Sequence, residues 1–238
     1  MKAPEDSESP YYLDHSGPKD RWSLQVKICG LTRPEEALAC AEFGAAAVGL
    51  VFYPPSPRYV TEERAREITG SLPAQVCPVG VFVDETFTII MKRVEGCGLR
   101  AVQLHGREPP EFGEMLLQQG IIVIRGLYMN KEPSINHAGQ YHASAYLLEY
   151  SGGSLPGGNA LAWDWSAATG ICRLKPLILA GGLNPENVAP AIEAALPDAV
   201  DVSSGVEARP GKKDIDKIKA FLEAANRARL LRKPEKLF

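Results

Sequence analysis

A handful of short stretches carry side chains that could do chemistry. The run AYLLEY (145–150) is apolar until Glu149, and the glycine-rich loop SGGSLPGGN follows at once. A carboxylate at such a junction can hold or deliver a proton. Cys29 precedes Gly30 at the end of LQVKIC. By type a cysteine is a small buried hydrophobe, but where a strand ends beside cationic or dipolar surroundings it can become a reactive thiolate. Arg58 lies in the proline-stiffened PPSPRYV, where its planar fork suits a carboxylate and a solvated surface role is the alternative. His105 in LHGREPP is by default an acid or base, and equally a structural hydrogen-bonder. Asp201 in VDVSSG needs a partner if buried, and could bond a substrate hydroxyl or orient its loop.

Two further stretches, AGGLNPEN and DVSSGVE, are built from small residues. Backbone N–H groups can approach an anion closely there, and a helix start adds a favourable dipole. Gly181, Gly182, Ser203, Ser204 and Gly205 are therefore expected to bind phosphate.

The elements that must position these groups repeat along the chain. Apolar runs at 24–29, 46–52, 75–83, 100–104, 121–127, 144–149, 175–182 and 198–204 alternate with segments of helical period. Pro34 marks a first helical turn, Thr61 an N-cap, and Gly44 and Gly70 helix ends. The helical segments near 133–142 and 164–173 are the weakest. Buried strands alternating with helices imply βαβ units and a parallel sheet. Eight such units predict a single (β/α)8 barrel, a TIM barrel of the α/β class, in which chemistry collects where the strands end. The residues named above all fall at such ends. An open doubly wound sheet is the alternative, but the G-x-G-x-x-G turn that usually accompanies it is missing.

Composition limits the partners. Of 238 residues 45% are hydrophobic and 23% charged, with a formal net charge of −3, so no basic field draws in nucleic acid or an anionic membrane. A small molecule is the expected partner. Cys29, Cys40, Cys77, Cys97 and Cys172 form an odd set without a CxxC pair, as expected for reduced thiols in the cytoplasm. No apolar run approaches the roughly 20 residues of a membrane helix. Residues 1–22 read as a poorly ordered extension, 23–226 as the barrel, and 227–238 as a basic tail in solvent.

The stretches VKICGLTRPEEALACAEFGAAAVGLVFYPPSPRYV, VGVFVDE, AVQLHG, LAGGLNPENV and VDVSSGVEARPGKKD together resemble the phosphoribosylanthranilate isomerases of tryptophan biosynthesis. The likeness runs in order from about Val26 to about Ala225. It implies an Amadori rearrangement, N-(5-phosphoribosyl)anthranilate becoming 1-(2-carboxyphenylamino)-1-deoxyribulose 5-phosphate, with no metal or other cofactor. It also implies a phosphosugar as partner, Cys29 as general base, Arg58 near the anthranilate carboxylate, and phosphate on the loops at 181–182 and 203–205. A monomer or a homodimer would both be compatible.

The chain departs from the family pattern at the sixth strand. Glu149 stands where the family usually carries an aspartate as general acid. The following loop is longer, with Asn159, Ala160 and Trp163 replacing Ser or Thr, Gly and Phe, while Asp164 and Trp165 are kept. Glu149 retains the carboxyl group and adds one methylene, so reach is what changes. Two rivals share the fold. A Schiff-base aldolase would need an interior lysine, and only Lys27 and Lys175 fall in strands. A phosphosugar-binding barrel with weakened turnover is the other, resting on the same change at Glu149.

Overall fold

The computed structural model describes residues 22–152, 162–169 and 175–238. Among them, eight parallel strands close into a barrel in chain order. They are β1 (Gln25–Cys29), β2 (Ala47–Val51), β3 (Cys77–Phe82), β4 (Ala101–Leu104), β5 (Ile122–Tyr128), β6 (Ala145–Glu149), β7 (Leu177–Leu179) and β8 (Ala199–Val202). The barrel closes by pairing β8 with β1, in a register that sets Lys27 opposite Asp201. The strands are buried along nearly their whole length, because helices cover one face and side chains fill the other.

Helices α1 (Pro34–Glu42), α2 (Glu62–Ser71), α3 (Phe87–Cys97), α4 (Pro110–Leu117), α5 (Val188–Ala195) and α6 (Ile215–Arg227) flank the barrel. Their starts are chemically marked. Pro34 occupies the first turn of α1, and Thr61 caps α2 by accepting from the Arg64 N–H, both as expected. Gly70, expected to end α2, lies inside it, and Leu72 is the cap. After β5 and β6 the described residues form 3-10 turns, Ile135–Gln140 and Trp165–Ala168. These are the two weak helical segments, and the end of the second lies outside the described residues.

Strand β7 is shorter than its apolar run because Gly181 and Gly182 take φ of +86° and +69°, which end the extended conformation. Lys175 accordingly precedes the strand. A two-stranded hairpin, β9 (Glu207–Arg209) with β10 (Lys212–Lys213), follows β8 beyond the short turn Ser204–Val206.

The C-terminal segment is a correction to the expectation of a solvated tail. Arg232 donates to the Leu196 carbonyl and pairs with Asp198 at 2.8 Å. Gln25, at the start of β1, accepts from the N–H groups of Leu237 and Phe238 and donates to the Glu235 carbonyl. Leu237 and Phe238 pack against the interior cluster of Ala47, Cys77, Ala101, Ala145 and Ala199. The tail therefore covers the end of the barrel opposite the strand C-termini.

Candidate active site

Alternate residues of each strand point into the barrel, and the last inward position of each strand forms the mouth. Cys29 takes that position on β1. Its neighbour in register is Gly49, where any Cβ would stand 2.7 Å from Cys29 Sγ; glycine is what leaves room for the thiol. Burial pushes the Cys29 thiol up, Lys27 pulls it down, Asp201 pushes it up and Lys213 pulls it down, with a net rise.

Lys27, one inward position below Cys29, is fully buried. It donates to Asp201 Oδ1 at 2.8 Å, and its charge and that of the Cys29 thiolate act on each other. Burial alone would lower its pKa, but the Asp201 carboxylate and Cys29 outweigh that and hold the ammonium above its ordinary value. An ammonium so held is not the free amine that Schiff-base chemistry requires. Asp201 thus has the partner that its burial demanded.

Glu149 ends β6 and is buried. His105, just past β4, approaches Glu149 Oε1 with Nε2 at 3.1 Å, while its Nδ1 faces Gln103 Nε2 at 3.1 Å. With the Gln103 amide nitrogen turned toward it, Nδ1 is placed to accept, which leaves Nε2 to face the Glu149 carboxyl. The turn behind His105 is braced. Glu108 accepts from the Gly106 and Asp84 N–H groups and pairs with Arg125, which also donates to the Gly106 carbonyl at 3.0 Å. Counting round the barrel, β1 and β6 are separated by β8 and β7, so Cys29 and Glu149 face the mouth from well-separated strands.

Arg58 lies over Gly30, whose φ of +78° and lack of a side chain let the arginine stem pass. Its Nε and Nη2 donate to the two oxygens of Glu207 at 2.8 and 2.9 Å. Lys213 donates to Glu207 Oε1 at 3.0 Å and to the Ser203 carbonyl at 2.9 Å. Burial raises Glu207, but Arg58 and Lys213 more than reverse this, and the carboxylate stays below its ordinary range.

The two loops expected to bind phosphate meet. Gly205 packs so tightly on the Leu183 carbonyl that no side chain fits there. Asn187 ties the loop together, donating to the Gly182 carbonyl and accepting from the Asn184 N–H. Trp163 and Trp165 donate from their indole nitrogens to the carbonyls of Ala180 and Gly181. The bond from Trp163 is one that phenylalanine could not make. Asn159 and Ala160, the other departures, lie outside the described residues. The expected residues of the base, acid and anion sites therefore gather at one end of the barrel. Sequence reasoning passed over Gln103, Glu207 and Lys213, and treated Lys27 only as a nucleophile.

A parallel barrel with a thiol, a carboxyl and two small-residue anion loops at its C-terminal mouth defines a TIM-barrel enzyme of the phosphosugar-handling class. Residues 26–224 match the family model described as N-(5'-phosphoribosyl)anthranilate (PRA) isomerase. The chain is 51% identical over 216 residues to the N-(5'-phosphoribosyl)anthranilate isomerase of Desulfatibacillum aliphaticivorans, covering 91% of this chain and 99% of that one. It superimposes on the crystal structure of the phosphoribosyl anthranilate isomerase from Thermotoga maritima with a TM-score of 0.79 and 45% identity, covering 85% of this chain and 98% of that one. A solved phosphoribosyl anthranilate isomerase in complex with reduced 1-(o-carboxyphenylamino)-1-deoxyribulose 5-phosphate matches at 44% identity with a TM-score of 0.75, covering 85% and 98% of the two chains. The chain belongs to the phosphoribosylanthranilate isomerase family. No helix among the described residues is long and apolar enough to cross a membrane.

Proposed function

We propose that this barrel converts N-(5-phosphoribosyl)anthranilate to 1-(2-carboxyphenylamino)-1-deoxyribulose 5-phosphate, with Glu149 as acid and Cys29 as base. Glu149 gives its proton to the ribose ring oxygen as the bond from that oxygen to C1′ breaks. The anilino nitrogen supplies its lone pair to C1′, forming an iminium. The Cys29 thiolate then takes the proton from C2′, and the released electron pair forms the C1′–C2′ double bond of an enolamine, which tautomerises to the ketone. Carbon C1′ is reduced and C2′ oxidised within one molecule, so atoms and electrons balance without an external oxidant.

The observation that carries the reading is the pairing of two proton-transfer groups at one mouth, each with a built support. Lys27 lies against the base and His105 against the acid. The ammonium of Lys27 favours thiolate over thiol, opposing the burial that disfavours it. Arg58 Nη1, which makes no hydrogen bond among the described residues, takes the anthranilate carboxylate. The phosphate rests on Gly181, Gly182 and Ser203 to Gly205. Asp201 Oδ2 is left for a ribose hydroxyl, since Lys27 occupies only Oδ1. The four described cysteines are free, in keeping with a reducing cytoplasm. A solved relative from Thermotoga maritima is described as dimeric; here each chain carries a complete site, so a monomer or a homodimer would work.

Complementation of a tryptophan auxotroph lacking this isomerase tests the reading. The parent gene restores growth and Cys29→Ala does not. Growth restored equally by Cys29→Ala would refute Cys29 as the base, and no growth with the parent would refute the activity.

A further inference from the structure

Arg58 is the one cation proposed to meet the aromatic carboxylate, yet it is not free to turn. Its side chain is about nine-tenths buried, pinned beneath by Gly30 and clamped on one edge by Glu207 through two parallel hydrogen bonds. A guanidinium carries five N–H donors, which give two edges suited to bidentate bonding and one further hydrogen on Nη1. With Nε–H and one Nη2 hydrogen taken by Glu207, the end formed by Nη1 and the second Nη2 hydrogen stays available. Glu207 is fixed in turn by the fully buried ammonium of Lys213, and Lys213 also holds the Ser203 carbonyl of the phosphate loop. Three charges and a loop therefore form one rigid chain running from the arginine to the anion site.

We propose that Glu207 is a specificity-determining positioning residue: it holds Arg58 so that Nη1 meets the substrate carboxylate, and through Lys213 it ties that contact to the phosphate loop. The inference rests on Arg58 as the carboxylate anchor. Glu207 touches no substrate atom itself. A cation of +1 from Arg58 and another from Lys213 offset its charge, so the three-residue chain carries a net +1 toward an anionic ligand. A lone arginine would attract the carboxylate without fixing its direction. Glu207 supplies the direction.

The test uses two stable ligands made by reductive amination of ribose 5-phosphate, one with anthranilate and one with aniline, which differ only in the carboxylate. Binding of each to the full chain is measured by fluorescence titration. Glu207→Gln is expected to weaken the carboxylate ligand at least about tenfold, the scale of one hydrogen bond to a charged group, and the aniline ligand less than twofold. For turnover, KM rises by a similar factor while kcat stays within twofold, the pattern of lost uniform binding. Glu207→Asp keeps the charge on Arg58 and Lys213 and so guards against loss of the fold; it shortens the clamp and is expected to show the same selectivity with a smaller factor. Equal weakening of both ligands by both variants, or no weakening, overturns the proposal by making Glu207 merely structural or irrelevant. Arg58→Lys separates the two levels of the argument: if it leaves carboxylate binding unchanged, the anchor itself is misassigned, whatever Glu207 does.

Discussion

Shortening Glu149 to aspartate tests how the active-site carboxyl is delivered. In the structure Glu149 Oε1 stands 3.1 Å from His105 Nε2. Removing one methylene withdraws the carboxyl by about 1.5 Å, one carbon–carbon bond, which breaks that contact and moves the acid the same distance from the ring oxygen. A misplacement near 1 Å costs about 100-fold, so Glu149→Asp should lower kcat by roughly two orders of magnitude, or about 2.7 kcal/mol of barrier. Glu149→Gln keeps the length and the contact with His105 but has no proton to give. It should lose about 1,000-fold or more, within the range of general acid catalysis. KM should change little in either case, because the proposed substrate contacts, Arg58 and the loops at 181–182 and 203–205, lie elsewhere. The assay is the fluorescence decay of phosphoribosylanthranilate generated in situ. Parent-like turnover by Glu149→Gln would remove Glu149 from the mechanism. Parent-like turnover by Glu149→Asp would show that the extra methylene, and with it the bond to His105, does not set the position of the acid.

Other consequences follow from the buried charges and the tail. Lys27→Met should slow alkylation of Cys29 by iodoacetamide at pH 8, read by peptide mass spectrometry, because the ammonium that favours the thiolate is gone; an unchanged rate counts against Lys27 as its support. The same variant strands Asp201 and should cost about 3–5 kcal/mol of stability, measured by denaturant unfolding. Deleting residues 233–238 exposes Gln25 and the apolar base and should cost about 4 kcal/mol, from four hydrogen bonds to Gln25 and Asp198 and two partly buried side chains, with kcat unchanged; an unaltered melting temperature would show that the tail packs without stabilising. Glu207 and Asp198 have pKa values lowered in the folded state, Glu207 despite burial and through Arg58 and Lys213, Asp198 despite burial and through Arg232. Their stabilisation is present above the ordinary values of 4.5 and 3.8 and is lost as pH falls through the lower folded values. Melting temperature should therefore drop below about pH 4.5, and Glu207→Gln should flatten that drop.

The barrel was legible because its strands are buried on both faces, which makes them read as eight predominantly apolar runs. Strand ends were then readable as mouth positions, and Cys29, Arg58, His105, Glu149 and the glycine and serine loops gather there. What misled was local composition taken alone. The basic RARLLRKPEKLF looks like a solvated tail, yet Arg232 meets Asp198, and the terminal leucine and phenylalanine find an apolar base that no local pattern reveals. The weak helix after β5 fails for a local reason: its segment is short, contains Gly139 and supports a 3-10 turn, while of the segment after β6 the described residues include a 3-10 turn.

The supporting charges were hidden for a different reason, which is distance along the chain. Arg58 and Glu207 are 149 residues apart, and Lys27 and Asp201 are 174 apart. Motif reading stops at a dozen residues. The second pair could still have been derived from the fold alone. Once the barrel closes, β8 must pair with β1, and inward positions on each strand step by two from the mouth. Lys27 lies two residues below Cys29, and Asp201 two below Ser203, so both fall in the same interior layer. A buried charge requires a partner, and neighbouring strands in one layer offer each the other. The pair beneath the thiol is thus a consequence of closure plus parity, whereas the clamp on Arg58 depends on a hairpin outside the barrel, where neither rule applies.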